Sequence, residues 1–438
     1  MHANDVIEQL LAGTYADPET GDLISAEARA VVIESSLAGT EDERIAQLGV
    51  VGAGGHVAVV SDTNTHAVLG ERVARALGGR YTVQSIIMPR GVHADEGALA
   101  ELSRAVAPRT ELVVAVGSGT LNDLSKLVAF RHGCPQVVFA TAPSMNGYTS
   151  VNASITIAGV KTSLRTRTPV GAYFDLGVLA AAPAKLIRSG LGDSACRPTA
   201  QADWLLSHLL LDRPYRDAPF ALLAADGRDV LAESAALLAG DLDAMRYLVR
   251  NLVLSGFGMT ICNGSYPASQ GEHLLAHYIE MMRPPDLPTS FHGEHIAVCT
   301  TAMAAIQERV LERATAPVLV PSARIMRDQV VGHFGPDMGP VCWAEFERKR
   351  LDVAATDALN ERLARRWDDI RRRISAVTVP GAKLRASLDV VGAPVEHGQL
   401  GWPDELWANA LAHAREIRNR YTFLDLVADS SDRDTAVA

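Results

Sequence analysis

The chain has 438 residues, 48% of them hydrophobic and 21% charged, and a formal net charge of −10. This length and composition indicate a globular protein with more than one domain, and the acidic balance without a basic block excludes a nucleic-acid-binding or anionic-membrane surface. No signal peptide is visible, and no apolar run approaches the ~18 residues that cross a bilayer. We therefore expect a cytoplasmic protein, with its five cysteines reduced.

Short β-rich runs alternate with helical patterns through residues 1–178. Helices are expected to end near Leu77 and to cover Glu96–Val106 and Thr120–Arg131. Such alternation predicts an α/β Rossmann-like domain with a parallel, doubly wound sheet. Strands are expected near Val31–Ile33 and at Val57–Val60, Ser85–Met88, Leu112–Val116 and Gln136–Ala140, with a hairpin or edge strands at Ser154–Val160 and Gly171–Phe174.

A glycine-rich turn follows the third strand of this alternation and opens a helix. Its residues include Gly117, Gly119, Thr120 and Asp123. Glycines allow close backbone approach, and a helix N-terminus offers free N–H donors, so a phosphate or pyrophosphate suits the turn. Asn122 stands where a Rossmann fingerprint has its third glycine, so a tight turn without a ligand is the alternative.

Asp62 follows the strand that begins at Val57. A carboxylate at the carboxyl end of a strand can bind a ribose diol, which would favour NAD over NADP. A turn aspartate or a helix cap is an equally good reading of the local sequence.

From about Leu176 the pattern becomes helical, and we expect an all-helical domain over residues 179–438. Asp193, His273 and His292 are enough to hold one divalent cation with an open position, and His277 shares a helix face with His273. Ser269 and Glu272 resemble a capping box that would open this helix. The Pro-rich segment 283–288 could fold the chain back to His292; the alternative is that these histidines never meet.

Five motifs in order resemble the bacterial type of sn-glycerol-1-phosphate dehydrogenase, within the iron-containing alcohol dehydrogenase and dehydroquinate synthase-like superfamily. They are the turn at Gly117–Asp123, the segment Thr141–Ser150, Gly192–Asp193, the pair His273 and His277, and His292–Glu294. The resemblance runs from about Val57 to Ala302. It implies a dinucleotide-binding domain, a helical domain and an active site in the cleft between them.

The resemblance also implies roles for single residues. Asp193, His273 and His292 match metal ligands, and His277 matches a histidine near substrate and nicotinamide. The cofactor positions are Gly117, Gly119, Thr120 and Asp123 in the pyrophosphate turn, Asp62 at the adenosine ribose, and Thr141, Ser144 and Ser150 on the nicotinamide side.

Two departures from the family pattern affect the substrate more than the reaction. Asn146 replaces an aspartate common near the substrate, and asparagine exchanges no proton at neutral pH. Arg197 stands where iron-type alcohol dehydrogenases have a histidine ligand, and a guanidinium cannot bind a metal. Arg197 and Lys161 are therefore expected to meet an anionic substrate group, with Arg165 and Arg167 as further candidates; a solvated basic loop is the alternative for the residues between 161 and 167.

The expected reaction is reduction of dihydroxyacetone phosphate to sn-glycerol 1-phosphate by NAD(P)H, with the metal as a Lewis acid on the carbonyl oxygen. Zn²⁺ is the expected ion, with Ni²⁺ or Fe²⁺ as alternatives. The alternative functions are a dehydrogenase of another polyol or phosphorylated ketone, a dehydroquinate synthase-like cyclase, and a non-catalytic nucleotide-binding relative. The expected partners are a small phosphorylated ketone or polyol and, through the helical domain, a second copy of the chain.

Overall fold

A computed structural model describes residues 5–227 and 229–431. Their packing divides them into two compact units. The first unit comprises the described residues of Met1–Ile157, Thr162–Ser194 and Arg216–Ser265, and the second those of Ala158–Lys161, Ala195–Tyr215 and Tyr266–Ala438. The predicted division into a nucleotide-binding domain up to residue 178 and a metal-binding domain after it stays a prediction.

The strands of the described chain lie in one six-stranded sheet and two small two-stranded sheets. The large sheet has the order β3-β10-β7-β6-β4-β5, and all of its neighbouring strands are parallel. The strands are β1 (Tyr15–Ala16), β2 (Leu23–Ile24), β3 (Ala30–Glu34), β4 (His56–Asp62), β5 (Thr82–Met88), β6 (Leu112–Gly117), β7 (Gln136–Ala140), β8 (Asn152–Ile157), β9 (Val160–Arg165) and β10 (Gly171–Asp175). The predicted parallel α/β fold is confirmed.

Helices cover the sheet on both faces, since each central strand buries side chains toward both of them. In β4, Val57 and Val59 belong to one hydrophobic cluster, whereas Ala58 and Val60 belong to another. Side chains of neighbouring strand residues point to opposite faces, so each face buries its own apolar layer. The sheet is therefore doubly wound, as the strand–helix alternation predicted.

The strand order reverses direction at β4, because β5 lies on one side of it and β6 on the other. Val60 pairs with Ala115 in the register of β4 and β6, so Asp62 and Gly117 end neighbouring strands at the same level. Crevices outside the carboxyl ends of strands at such a switch point are where open α/β sheets bind ligands.

Gly171–Phe174 was expected in a hairpin or at an edge, and this expectation is wrong. These residues lie in β10, which pairs with β3 on one side and β7 on the other, and β3 forms the edge. All five residues of β10 are buried. The run lacks polar alternation because both faces are covered, and a short apolar run does not reveal its place in a sheet.

Regular structure from residue 176 onward is helical in the described chain, which agrees with the helical pattern predicted from the sequence. The α-helices of the described chain are α1 (Val6–Ala12), α2 (Glu41–Gln47), α3 (Thr63–Thr65), α4 (Glu71–Gly78), α5 (Glu96–Ala105), α6 (Gly119–His132), α7 (Leu176–Ala180), α8 (Ala184–Ala195), α9 (Arg197–Leu211), α10 (Ala218–Ala225), α11 (Ser234–Leu238), α12 (Leu242–Ile261), α13 (Gly271–Met282), α14 (His292–Leu311), α15 (Arg327–Glu347), α16 (Val353–Ser375), α17 (Gly381–Val390), α18 (Asp404–His413) and α19 (Phe423–Ala428).

The core of the second unit is formed by apolar faces of its helices. Ile279 of α13, Met303 of α14, Phe334 of α15 and Leu363 of α16 are buried in one cluster. Of the helices that the structure describes, none combines the length and apolarity needed to cross a bilayer.

Candidate active site

Helix α13 presents a polar face and an apolar face. His273, His277 and Glu280 follow one another at i, i+4 and i+7, whereas Leu275 and Ile279 join the hydrophobic core. The two histidines are only 6% and 5% exposed. Polar side chains buried to this extent need partners, so this face of α13 is a candidate binding site.

The start of α13 differs from the predicted capping box. The helix begins at Gly271 with Gln270 at the N-cap, so Glu272 is the second helical residue and Ser269 is not the cap. The N–H of Gly271 donates to Asp203 Oδ2 (2.9 Å), and that of Gln270 donates to Glu272 Oε1 (2.7 Å). A carboxylate distant in sequence caps the helix, which local spacing cannot reveal.

The chain folds back after α13 and brings a third imidazole to the first two. The His292 ring centroid lies 5.3 Å from that of His273 and 5.6 Å from that of His277, and the His273 and His277 centroids are 5.8 Å apart. His292 is the first residue of α14, which follows the Pro-rich segment. The histidines therefore meet, and the alternative in which they stay apart does not hold in this structure.

Each of two imidazoles is held through Nδ1 by a carboxyl group. His273 Nδ1 lies 2.8 Å from Glu272 Oε1, and His292 Nδ1 lies 2.9 Å from Glu280 Oε1. Burial acts to raise the pKa of Glu280, but its charge and hydrogen-bond interactions with His292 and His295 and the charge of Lys161 bring that pKa well below its usual range. An ionised carboxylate only accepts, so Nδ1 of His292 donates this hydrogen bond and Nε2 faces away from Glu280. This is the arrangement typical of metal-binding histidines.

His277 lacks such a carboxyl partner. Its Nδ1 is buried and has no hydrogen-bond partner among the described residues. Burial, followed by the positive charge of Arg418, lowers the pKa of His277 well below its ordinary value. The ring is therefore neutral at neutral pH and can exchange a hydrogen bond with a ligand.

Asp193 lies in the first unit, on α8, where it is 1% exposed. Its Oδ2 accepts the backbone N–H of Asn146 at 2.7 Å. The loop carrying Asn146 packs closely on α8, because a Cβ at Gly190 would lie 1.6 Å from the carbonyl oxygen of Pro143. The Nδ2 of Asn146 is buried without a hydrogen-bond partner in the described chain.

The loop after β7 is held at two points. The N–H of Thr141 donates to the carbonyl of Gly117 at the end of β6 (3.1 Å). The carbonyl of Ser144 accepts a hydrogen bond from the hydroxyl of Ser189 on α8 (3.0 Å). Gly117 ends β6, and a Cβ there would lie 2.5 Å from Leu121 Cδ1. Gly119 and Thr120 are the first two residues of α6, whose N-terminal amides face the carboxyl edge of the sheet.

Asp62 is both the end of β4 and the N-cap of α3. Its Oδ1 accepts the N–H of Thr65 (2.7 Å), and Thr65 Oγ1 accepts the N–H of Asp62 (2.9 Å). The helix-cap reading of Asp62 therefore holds for one carboxylate oxygen. Its ribose-binding role stays a prediction.

Asp123, on α6, and Ser150 have partners within the first unit. Asp123 Oδ2 accepts the N–H of Ser154 (2.9 Å), and the hydroxyl of Ser150 reaches the carbonyls of Gly147 (3.1 Å) and Asn152 (3.2 Å). Both residues therefore support the shape of the loop. Their predicted contacts with a cofactor stay predictions.

Lys126 of α6 is 1% exposed and holds the same loop. Its Nζ donates to the carbonyls of Gly147 (2.8 Å), Asn152 (3.0 Å) and Ser150 (3.1 Å). Burial lowers the pKa of Lys126 to about 8, so the ammonium remains mostly protonated at neutral pH. This lysine is a tie between α6 and the loop that carries Asn146.

Lys126→Met should loosen this loop and lower the free energy of unfolding by about 1–3 kcal/mol, because buried carbonyls lose their donor. Hydrogen exchange of the amides in residues 146–152 should accelerate, as measured by mass spectrometry. Lys185→Met, at an exposed lysine of α8, is the matched control and should change stability by less than about 0.5 kcal/mol. Unchanged exchange in the loop would show that Lys126 does not hold it.

The predicted substrate-binding cations lie in different settings. Lys161 is half-buried in the second unit, and its carbonyl accepts Arg418 Nη2 at 3.1 Å. Arg197 is buried as the first residue of α9. In the first unit, Arg167 lies over the ring of Phe130, with its guanidinium carbon 5.9 Å from the centroid.

Glu280, Lys126 and Arg418 were missed from the sequence. Glu280 could have been found, because it continues the i, i+4, i+7 face of His273 and His277. Lys126 and Arg418 act on carbonyls far away in sequence, and no local spacing points to them.

The fold and the carboxylate-held imidazoles define a metal-dependent dehydrogenase of the alcohol dehydrogenase type, and comparisons with known proteins agree. The family described as iron-containing alcohol dehydrogenase matches residues 32–183. Among solved structures, an iron-containing alcohol dehydrogenase from Corynebacterium glutamicum covers 94% of this chain and 97% of its own (TM-score 0.58, 15% identity). A probable glycerol dehydrogenase from Sinorhizobium meliloti covers 91% and 92% (TM-score 0.57, 19% identity). At these identities the structures show a shared fold.

Curated relatives are more specific. A glycerol-1-phosphate dehydrogenase [NAD(P)+] from Halalkalibacterium halodurans is 30% identical over 375 residues, which are 84% of this chain and 85% of the relative. One from Pyrococcus furiosus is 32% identical over 252 residues, 57% of this chain and 70% of the relative. The chain therefore belongs to the glycerol-1-phosphate dehydrogenase family, within the iron-containing alcohol dehydrogenases.

Proposed function

We propose that this protein reduces dihydroxyacetone phosphate to sn-glycerol 1-phosphate with NADH or NADPH, in a reversible and metal-dependent reaction. The observation that carries the proposal is the pair of imidazoles, His273 and His292, each held through Nδ1 by a glutamate. Substrate and cofactor follow from the names of the curated relatives.

The donor set suits a divalent cation, with Asp193, His273 and His292 as its protein ligands. Two imidazoles and a carboxylate accept Zn²⁺, Ni²⁺ and Fe²⁺, and Zn²⁺ is the ion we expect. When bound, the cation supplies Lewis acidity toward the ketone oxygen, and the reduced nicotinamide supplies the hydride. Glu272 and Glu280 fix the orientation of the two rings before any ligand arrives.

The dinucleotide is assigned to the carboxyl edge of the large sheet, at the reversal of strand order. The N-terminus of α6 would receive the pyrophosphate, and the loop after β7 would line the nicotinamide. The assigned residues are Asp62, Gly117, Gly119, Thr120, Asp123, Thr141, Ser144 and Ser150.

His277 and Asn146 are assigned to the substrate oxygens. In the oxidation direction, the neutral imidazole of His277 accepts the proton that the substrate hydroxyl loses, and in reduction the imidazolium returns it. Asn146 cannot carry a proton, but its partnerless Nδ2 can donate a hydrogen bond to a substrate oxygen. Its backbone N–H meanwhile holds Asp193 in place.

The direct test is oxidation of NADH and NADPH with dihydroxyacetone phosphate, before and after chelation and with Zn²⁺, Ni²⁺ or Fe²⁺ restored. Turnover that disappears on chelation and returns with one ion supports the proposal. Absence of turnover with metal and dinucleotide both bound would reject dihydroxyacetone phosphate as substrate and direct the assay to other ketones and to cyclase substrates.

Asn146→Asp tests the assigned amide. We expect kcat/KM for dihydroxyacetone phosphate to fall by about tenfold or more, because the ionised carboxylate cannot donate the hydrogen bond that the amide of Asn146 donates. Asn146→Ser, which keeps a smaller donor, should fall less. A large increase with Asp would instead show that this position selects the substrate through its charge.

A further inference from the structure

The segment after α18 places two arginines side by side in the second unit. The N–H of Arg420 donates to the carbonyl of Arg418 (2.9 Å), which makes a tight turn. Arg418 Nη2 donates to the carbonyl of Lys161 (3.1 Å), and the Arg420 guanidinium carbon lies 5.0 Å from the ring centroid of Tyr266. The backbone of Lys161 and the side chain of Arg418, from distant parts of the chain, are thereby brought together.

The charge of Arg418 has no carboxylate paired with it among the described residues. Arg418 forms no ion pair in the part of the chain that the structure describes, although Glu345 and Glu280 act on it electrostatically. Glu345 contacts Arg348 (3.3 Å), and Glu280 contacts His292 (2.9 Å), so both carboxylates are engaged elsewhere. Burial and the charge of Arg418 together lower the pKa of Arg420 to about 9. Like charges at half-buried positions such as these are costly unless an anion joins them.

The residues just before Arg418 pack on the helix that carries His277. Ala414–Ile417 form a single turn that contacts α13. An anion bound by Arg418 would therefore lie close to the helix whose imidazole is assigned to proton transfer. Because the anionic group and the reacting group of one small substrate lie close together, the protein residues that contact them must also lie close together.

We propose that Arg418 and Arg420, together with Lys161, bind the phosphate group of the substrate. The identity of that substrate rests on the proposed function, whereas the anion site rests on the arginines themselves. A guanidinium presents paired N–H donors that match phosphate oxygens, and Arg418 keeps Nε and Nη1 for this purpose while Nη2 contacts Lys161. Lys161 thus stays a predicted phosphate-binding residue, and Arg418 and Arg420 join it.

The experiment compares dihydroxyacetone phosphate with dihydroxyacetone, which lacks the phosphate, in the metal-loaded enzyme. Arg418→Met should raise KM for dihydroxyacetone phosphate by about 30-fold or more, since a charged hydrogen-bonded pair is lost. The loss in kcat/KM should be at least about tenfold smaller with dihydroxyacetone, which has no phosphate group for Arg418 to bind. Arg418→Lys should recover part of the loss, and Arg373→Met, at an exposed arginine of α16, should change neither substrate.

Inorganic phosphate separates a failure of this inference from a failure of the proposed function. Inorganic phosphate should inhibit the wild type competitively. If the wild type shows no turnover, phosphate should instead raise its melting temperature. The phosphate concentration that gives either effect should be about tenfold or more higher in Arg418→Met. Phosphate binding that depends on Arg418 in a protein inactive with dihydroxyacetone phosphate would keep the anion site and reject the reaction. Unchanged phosphate binding and KM in both Arg418 variants, or no phosphate binding by the wild type, would overturn the assignment.

Discussion

Replacing His292 with alanine is expected to remove the bound metal and to lower kcat by about a thousandfold or more. A cation that polarises a carbonyl contributes several kcal/mol of charge stabilisation, and a lost ligand removes both the ion and that contribution. The same result is expected for His273→Ala, because the two rings lie 5.3 Å apart and share one role. Metal content by mass spectrometry and kcat on the same preparation measure both effects.

His397→Ala is the matched control for these variants. His397 is partly exposed in the second unit and pairs with Asp404 (2.8 Å), so its removal should leave metal content and kcat unchanged. Circular dichroism checks that the fold persists in all three proteins. A His292→Ala or His273→Ala protein that keeps a full equivalent of metal would remove that residue from the ligand set.

His277→Gln should separate proton transfer from metal binding. We expect kcat to fall by about 10²–10⁴-fold, the usual contribution of a positioned acid–base group, while the metal content stays at one equivalent. Glutamine can form hydrogen bonds but cannot exchange a proton at neutral pH. Steady-state kinetics and metal analysis of the same sample provide the measurement.

Loss of metal in His277→Gln would make His277 a ligand, and an unchanged kcat would exclude it from the rate-limiting chemistry. His397→Gln carries the same substitution at a histidine outside the cluster and should keep both kcat and metal. Together with His292→Ala, the variant assigns different functions to two rings whose centroids are 5.6 Å apart.

The α/β architecture was predictable because its signals are local. Buried parallel strands are runs of mostly apolar residues rich in valine, and Leu112–Val116 and Gln136–Ala140 match the observed β6 and β7 within one residue. Helices such as α5 and α6 were visible from their apolar period and the turns before them. The position of β10 within the sheet was not, because pairing between strands far apart in sequence leaves no trace in either strand.

The candidate site was predictable only where its residues lie on one element. His273 and His277 are four residues apart on α13, and their shared face follows from helix geometry alone. The glutamates that hold His273 and His292, the carbonyls that bind Lys126 and the contact between Arg418 and Lys161 depend on the tertiary structure. Polar partners of this kind are selected by burial, which the sequence does not display.

The edge position of β3 has a consequence for synthesis on the ribosome. β3 ends at Glu34, but the strand with which it pairs, β10, begins at Gly171, and α12 of the same unit ends at Ile261. A nascent chain must therefore carry the unpaired edges of β3 for most of the translation of this unit, because parallel partners separated by such a span close late. A bound chaperone during this interval would protect those edges from pairing with another chain.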